Sequence, residues 1–263
     1  RDASGIKNDH RVGQKLPSAH RRTAWVMCCI GRAHHELVDY HASLRAFEEA
    51  RKLDPHRTKD MEIYSTVLWH LKKEVELSFL AQTTVDQDTL SPEAWCVVGN
   101  CFSLHKDHET ALKFFKRAIQ VDPSCSYAHT LCGHEYVSIE DFEKALACFR
   151  NAVRTDARHY NAWYGLGVVY FCQEKYPLAL YHFRKAITIN NRSSALYCYL
   201  GMVQQADGKL DDACQDLEHA IAIDPKNKLA KFKLSSVYAA MGRFEGALEM
   251  LKQLKNAAPR EAS

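Results

Sequence analysis

Four residues with metal-binding chemistry fall close together in this chain. Cys96, Cys101, His105 and His108 form the pattern C-x4-C-x3-H-x2-H. Two thiolates followed by two imidazoles are a possible zinc ligand set. The chain holds ten cysteines in 263 residues, enough for a disulfide framework as well. Seven of them (Cys28, Cys96, Cys132, Cys148, Cys172, Cys198 and Cys214) sit inside amphipathic runs rather than turn-rich loops. There cysteine acts as a small apolar filler, and the usage reads as reduced thiols in a reducing compartment. Whether the four candidate ligands meet depends on the elements that carry them.

Those elements repeat. The glycines Gly31, Gly99, Gly133, Gly167 and Gly201 are spaced by 68, 34, 34 and 34, and Ser65 and Ser235 fill the remaining places of the series. Seven units of 34 residues therefore start at 24, 58, 92, 126, 160, 194 and 228. Twelve positions after the small residue come Ser43, Leu77, Ala111, Ala145, Ala179, Ala213 and Ala247. Four further on stand Phe47, Ala81, Phe115, Phe149, Phe183, Leu217 and Leu251, and three beyond those Ala50, Thr84, Ala118, Ala152, Ala186, Ala220 and Leu254. Prolines close units one, three, six and seven at Pro55, Pro123, Pro225 and Pro259.

One such unit is a helical hairpin, with small residues where the two helices approach. Leucine at Gly133 is expected to overpack that contact, at a cost of about 1–3 kcal/mol. Ser91 before Pro92 is an N-cap followed by a first-turn proline. Pro177 stands at the start of a second helix, and the "LDP", "VDP" and "IDP" runs end second helices. A lone hairpin cannot bury its apolar face, whereas stacked hairpins can. The pattern is the tetratricopeptide repeat, predicting an all-α, right-handed superhelical solenoid of seven repeats over residues 24–263. Unit two departs most, with Ser65 for Gly, Leu77 for Ala and Ala81 for the aromatic. Its second helix is expected to give way to a polar connector, "TTVDQDTLSP", leaving a weakened joint. Residues 1–23 lack periodicity and are expected to be a disordered basic tail or linker.

On this frame the zinc set comes apart. Cys96 and Cys101 share a helix but are about 140° apart around it. His105 stands near that helix's end, and His108 in the turn and next helix. The adjacent His34 and His35 point apart and read as packing and surface residues. No phosphate loop, nucleophile elbow or H-E-x-x-H motif occurs. The expectation is a chain with no metal, no cofactor and no catalytic residue. The net charge is +3, of which residues 1–23 supply +4, so the repeats carry −1 and no nucleic-acid footprint. No apolar run approaches 18 residues, so no membrane helix is expected, and the start of the sequence lacks a signal-peptide core.

Solenoids of this kind bind partners on the surface lined by their first helices. The inner positions of a unit are its second, fifth, ninth, twelfth and thirteenth. In units one to three they mix charges, Arg32 and Lys59 against Glu36, Glu62 and Glu93. In units four to seven they carry no charge and several aromatics, among them Tyr127, Tyr164, Phe171 and Phe232. Trp and Tyr beside isolated polar groups are hot-spot chemistry, though each aromatic is equally suited to packing between units. A clamp for acidic chaperone tails needs basic residues here. The fifth positions, Cys28, Glu62, Cys96, Thr130, Tyr164, Cys198 and Phe232, include none. The glutamates instead suit a cationic side chain, with apolar pockets beside them and the amide of Asn100 for a terminal carboxylate.

The segments "MEIYSTVLWHLKKEVELSFLAQ", "SPEAWCVVGNCFSLHKDHETALKFFKRAIQVDP", "DFEKALACFRNAVR" and "RHYNAWYGLGVVYF" closely resemble the carboxy-terminal repeats of the anaphase-promoting complex subunit 3 family, also called the cell division cycle twenty-seven family. The likeness covers about residues 24–263 and weakens from unit six onward. It implies a scaffold subunit of a multisubunit ubiquitin ligase in the cell cycle, in nucleus and cytoplasm. It further implies that these repeats hold the Ile-Arg carboxy-terminal tails of coactivators and of a small core subunit. The family's dimerisation repeats are not in this sequence, and the family continues past "PRE" into further repeats. The residues assigned to tail recognition are Glu62, Trp69, Glu93, Asn100, Tyr127, His134, Asn161 and Tyr164. Glu62 and Glu93 attract the arginine, Asn100 anchors the carboxylate and the aromatics hold the aliphatic side chain. The competing readings are a co-chaperone adaptor for acidic tails and a spacer that binds no peptide.

Overall fold

The computed structural model describes residues 23–257. The proposed tail, apart from Thr23, and the closing Pro259 lie outside these residues. Among the described residues the chain is helical throughout, with no strand. The helices pair unit by unit. Unit one is α1 (Ala24–Glu36) and α2 (Tyr40–Leu53). Unit two is α3 (Met61–His70) and α4 (Glu74–Gln87). Unit three is α5 (Pro92–Leu104) and α6 (His108–Val121). Unit four is α7 (Ser126–Ser138) and α8 (Phe142–Thr155). Unit five is α9 (Tyr160–Cys172) and α10 (Tyr176–Ile189). Unit six is α11 (Ser194–Ala206) and α12 (Leu210–Ile223), and unit seven is α13 (Lys228–Ala240) and α14 (Phe244–Ala257). The all-α repeat architecture expected from the period is the one observed. The chain divides into two compact units, residues 1–165 and 166–263.

In the first unit the 34-residue columns become contacts. The ring of Phe47 lies on Gly31, that of Phe115 on Gly99 and that of Phe149 on Gly133, each so close that a Cβ on the glycine would stand under 3 Å from the ring. All three rings are fully buried, as are Ala111, Ala118, Ala145 and Ala152. In unit one Ser43 replaces the first of these alanines, and its hydroxyl donates to the Gly31 carbonyl at 2.7 Å. The expected Ser91 cap forms, its Oγ accepting from the Ala94 amide at 3.4 Å. Asp39, Asp107 and Asp141 cap three second helices in the same way.

Unit two corrects the expectation of a weakened joint. Its second helix runs through Thr83, Thr84 and Val85 to Gln87, as long as those of units one and three. The Thr84 hydroxyl donates back to the Leu80 carbonyl at 2.8 Å, and Arg51 reaches across from α2 to the Thr83 hydroxyl at 3.2 Å. Leu77 is fully buried and supplies bulk that Ala81 lacks. Such volume-conserving exchange keeps a core intact. The Ser65 hydroxyl, at the place other units give to glycine, donates to the Glu62 carbonyl at 2.7 Å. The real irregularity lies earlier, where α3 starts three residues late, after Asp60 at φ 71°.

The second unit repeats the glycine contacts between Gly167 and Phe183 and between Gly201 and Leu217. There Asn227 caps α13 and also donates from Nδ2 to Ser194 Oγ at 2.7 Å, which in turn donates to the Ala220 carbonyl at 2.8 Å. Every hairpin turn uses one left-handed residue at the same place in the period: Val38, Lys72, Lys106, Glu140, Glu174, Gly208 and Gly242. Only the last two are the residue type that adopts this conformation freely.

Candidate binding groove of the first unit

The four residues that suggested zinc go to four environments. Cys96 is fully buried against Ala118 and Ala128. Cys101 points toward Ser78, 3.5 Å from its hydroxyl. His105 is the exposed C-cap of α5. His108 leaves the metal question by pairing through Nδ1 with Glu135 Oε2 at 2.6 Å, while Ser103 donates to Glu135 Oε1 at 2.6 Å. The buried Glu135 carboxylate thus ties α5, α6 and α7 together. Among the described residues, no three His, Cys, Asp or Glu side chains form a metal-binding group.

The inner positions of the first helices do converge. The Asn100 amide, 3% exposed, donates to Ser65 Oγ at 2.7 Å and to Thr66 Oγ1 at 3.1 Å. Thr66 Oγ1 lies 2.5 Å from the Tyr127 hydroxyl. One network therefore joins α3, α5 and α7 through Asn100, Thr66 and Tyr127. Burial pushes the Tyr127 phenol well up, against the smaller opposing effect of its bond to Thr66. Across the first turn of α3 stands Glu62. Burial first, and the neighbouring Glu93 carboxylate second, raise its carboxyl well above the usual range. Its Oε2 is buried and has no hydrogen-bond partner. Glu93 itself accepts from the Ser91 hydroxyl at 2.7 Å.

Four more polar atoms on this unit are buried without a partner, Nη1 of Arg51, Nε1 of Trp69, Oε1 of Gln87 and Nε2 of His159. The Trp69 ring meets His70 edge-on at 5.2 Å and carries the Lys72 ammonium 4.1 Å from its centroid. The His159 ring meets Tyr127 at 6.0 Å. His134 packs edge-on against Phe149 at 5.1 Å and lies 6.2 Å from the Tyr164 ring. Burial, then His159 and His70, lower its imidazole to about 4, and His35 is lowered to about 4 by burial, His70 and His159. These imidazoles are neutral at physiological pH and add no positive charge to the surface.

Of the eight residues singled out from the sequence, Glu62 and Glu93 are electrostatic neighbours. Asn100 and Tyr127 share the hydroxyl of Thr66, and His134 and Tyr164 share a ring contact. Trp69 stands with His70 and Lys72. Asn161 is half-buried in the first turn of α9. The structure adds Thr66 at the centre of the network and His159 at its edge. Thr66 occupies an inner position of the repeat and was legible. His159 sits in the connector before α9, where counting positions along the helices finds nothing.

Three tetratricopeptide-repeat family models match the chain, over residues 92–125, 133–194 and 204–263. Among curated relatives, the chain is 53% identical over 125 residues to cell division cycle protein 27 homolog B of Arabidopsis thaliana, covering 48% of this chain and 17% of that protein. It is 56% identical over 109 residues to the human cell division cycle protein 27 homolog, covering 41% and 13%. With anaphase-promoting complex subunit 3 of Schizosaccharomyces pombe it shares 49% over 127 residues, covering 48% and 19%. The chain thus spans less than a fifth of the length of these relatives. The solved APC/C hetero-tetramer Cut9–Hcn1 matches with a TM-score of 0.81 at 15% identity, over 89% of this chain and 46% of that one. That likeness establishes the fold alone.

Proposed function

We propose that this array of tetratricopeptide repeats, similar across 41–48% of its length to cell division cycle protein 27 and anaphase-promoting complex subunit 3 relatives, is a non-catalytic scaffold segment of an anaphase-promoting complex. In this reading its partners are other subunits of that ubiquitin ligase and the Ile-Arg carboxy-terminal tails of coactivators, in nucleus and cytoplasm. The inner face of the first unit takes the tail.

The observation that carries the tail reading is Glu62. A buried carboxylate oxygen with no partner is expensive to leave unmade. It sits beside a second carboxylate, Glu93, in a place no Lys or Arg neutralises. A guanidinium is the group that resolves this arrangement, because it donates in a planar fork to carboxylate oxygens. Trp69 Nε1 and His159 Nε2 offer further contacts. Tyr127, the neutral His134 and Tyr164 supply an aromatic wall for an aliphatic neighbour of the arginine, with Asn161 at its rim. Asn100 already donates to Ser65 and Thr66, so anchoring the tail carboxylate requires it to release one hydroxyl. A co-chaperone role is disfavoured, since Glu62 and Glu93 repel an acidic tail.

The test is calorimetric titration of a peptide ending in Ile-Arg against its carboxy-amidated twin. Tight binding of the free acid and weaker binding of the amide support both the groove and the carboxylate anchor. Equal affinities would remove Asn100 from the anchor role, and no binding by either would remove the groove.

A further inference from the structure

The outer helix of the second repeat, α4, departs from the other outer helices. In five of the other six repeats, at least one of the two positions equivalent to 75 and 79 is charged, as in Glu109 and Lys113 or Asp211 and Gln215. Here they are Val75 and Phe79, which stand 80% and 65% exposed, one turn apart on one face. Exposed single apolar residues are ordinary, but a large adjacent pair in place of charges marks an interaction surface. The stripe continues one turn on to Thr83 and then Asp86. These two, with His56 and Gln87, line a depression of about 430 Å³. Gln87 Oε1 is buried there without a hydrogen-bond partner, although its Nε2 donates to the Pro55 carbonyl at 2.9 Å.

The charges on α4 itself are of one sign, while Lys73 stands at its start and Arg51 of α2 reaches Thr83. From Glu74 to Gln87 the helix carries Glu74, Glu76 and Asp86 and no Lys or Arg. Lys73 engages Glu76 at the first turn, which leaves Glu74 and Asp86 without a basic partner on the helix. We infer that the outer face of α4 docks a basic amphipathic helix from a partner protein. Its apolar residues would lie on Val75 and Phe79, and its Lys or Arg residues would reach Glu74 and Asp86. An i, i+4 apolar pair on one helix is the ridge that a second helix packs against. The acidic rim selects the sign of the partner and speeds its encounter.

The probe is a fluorescently labelled designed helix of leucine and lysine, with leucines at i, i+4 spacing, and a leucine–glutamate counterpart. Anisotropy titrations at physiological salt are expected to show saturable one-to-one binding of the lysine helix and none of the glutamate helix. Phe79→Ser and Val75→Ser, both at exposed positions, should each weaken binding at least tenfold with unchanged helical circular dichroism. Phe244→Ser, at an exposed phenylalanine elsewhere, should leave it unchanged. The double change Glu74→Lys with Asp86→Lys should reverse the preference between the probes. Equal binding by Phe79→Ser and the parent would overturn the inference, as would equal binding of both probes. So would a parent dimer in sedimentation velocity that Phe79→Ser dissolves, since that result assigns the face to a second copy of the chain.

Discussion

Replacing Gly133 by alanine puts the packing rule of the array to a direct test. The added methyl would stand 2.5 Å from Cε1 of Phe149. Alanine at Gly165, on the other side of the same ring, would stand 2.3 Å from that atom. Carbon atoms pack at about 3.5–4.0 Å, so ring or backbone has to retreat by about 1 Å in either variant. Phe149 is fully buried and has nowhere open to go. Overpacking of this kind costs about 1–3 kcal/mol, while alanine in place of a helical glycine returns about 0.8–1.0 kcal/mol. The net expectation is a loss of about 0–2 kcal/mol for each single variant, with Gly133→Leu well below either. Because both methyls press on one ring, the double variant should depart from additivity by more than about 0.5 kcal/mol. Phe149→Leu should remove most of the penalty. Gly246→Ala is the control, since its methyl meets only the edge of the Tyr238 ring at 3.1 Å and should be neutral or stabilising. Urea unfolding followed by circular dichroism measures all six. If Gly133→Ala gains as much as Gly246→Ala, or adds independently to Gly165→Ala, the ring-on-glycine contact does not organise the hairpin.

Other outcomes follow from single sites. Val38 is β-branched and holds φ 62° in the first hairpin turn, so Val38→Gly should raise stability by about 1 kcal/mol in the same urea assay. Asp60→Asn keeps the left-handed backbone but takes the charge from Arg57, 2.8 Å away and largely buried, and from Arg32 at 3.4 Å. It should lose about 2 kcal/mol, read from the urea midpoint. Glu62 has a folded-state pKa above its unfolded value of 4.5, so its ionisation opposes folding. Stability it contributes is present below pH 4.5 and lost as pH rises toward the raised value. Glu62→Gln should therefore melt higher than the parent at pH 7.5 and match it near pH 4. His35 and His134 work the other way, their pKa values being lowered to about 4. Their contribution is present above pH 6.5 and lost as pH falls through 4, and His134→Gln should flatten that part of the thermal-melt profile.

Much of this fold was readable because its packing rule is local in sequence and repeated. A glycine followed sixteen positions later by an aromatic is a contact inside one hairpin, and four copies in phase leave little alternative. The hairpin turns were not readable. Their left-handed residue falls at a constant place in the period, yet five of the seven are Val, Lys or Glu, and only Gly208 and Gly242 advertise it. Thr83, Thr84 and Val85 have poor helix propensity and argue for a connector where the structure continues the helix to Gln87. The Thr84 back-bond and the Arg51 contact outweigh that preference. The groove was half readable. Counting inner positions put Glu62, Glu93, Asn100 and Tyr127 on one face. It did not reveal that Asn100 already holds Ser65 and Thr66, because a hydrogen bond between repeats depends on how neighbouring units stack. Nor did it find His159, which enters from a connector.

In the proposed function the Glu62 carboxylate receives an arginine of a bound tail. The most direct measurement is a calorimetric cycle of two peptides, ending in Ile-Arg or in Ile-citrulline, against the parent and Glu62→Gln. Citrulline keeps the shape of the arginine and removes its charge. A charge-assisted hydrogen bond is worth about 1.5–3 kcal/mol, so the parent should favour arginine by at least about tenfold. Glu62→Gln should bring the two peptides close to equal. A preference for arginine that survives Glu62→Gln unchanged, or a parent that binds both peptides alike, would rule out that role for Glu62.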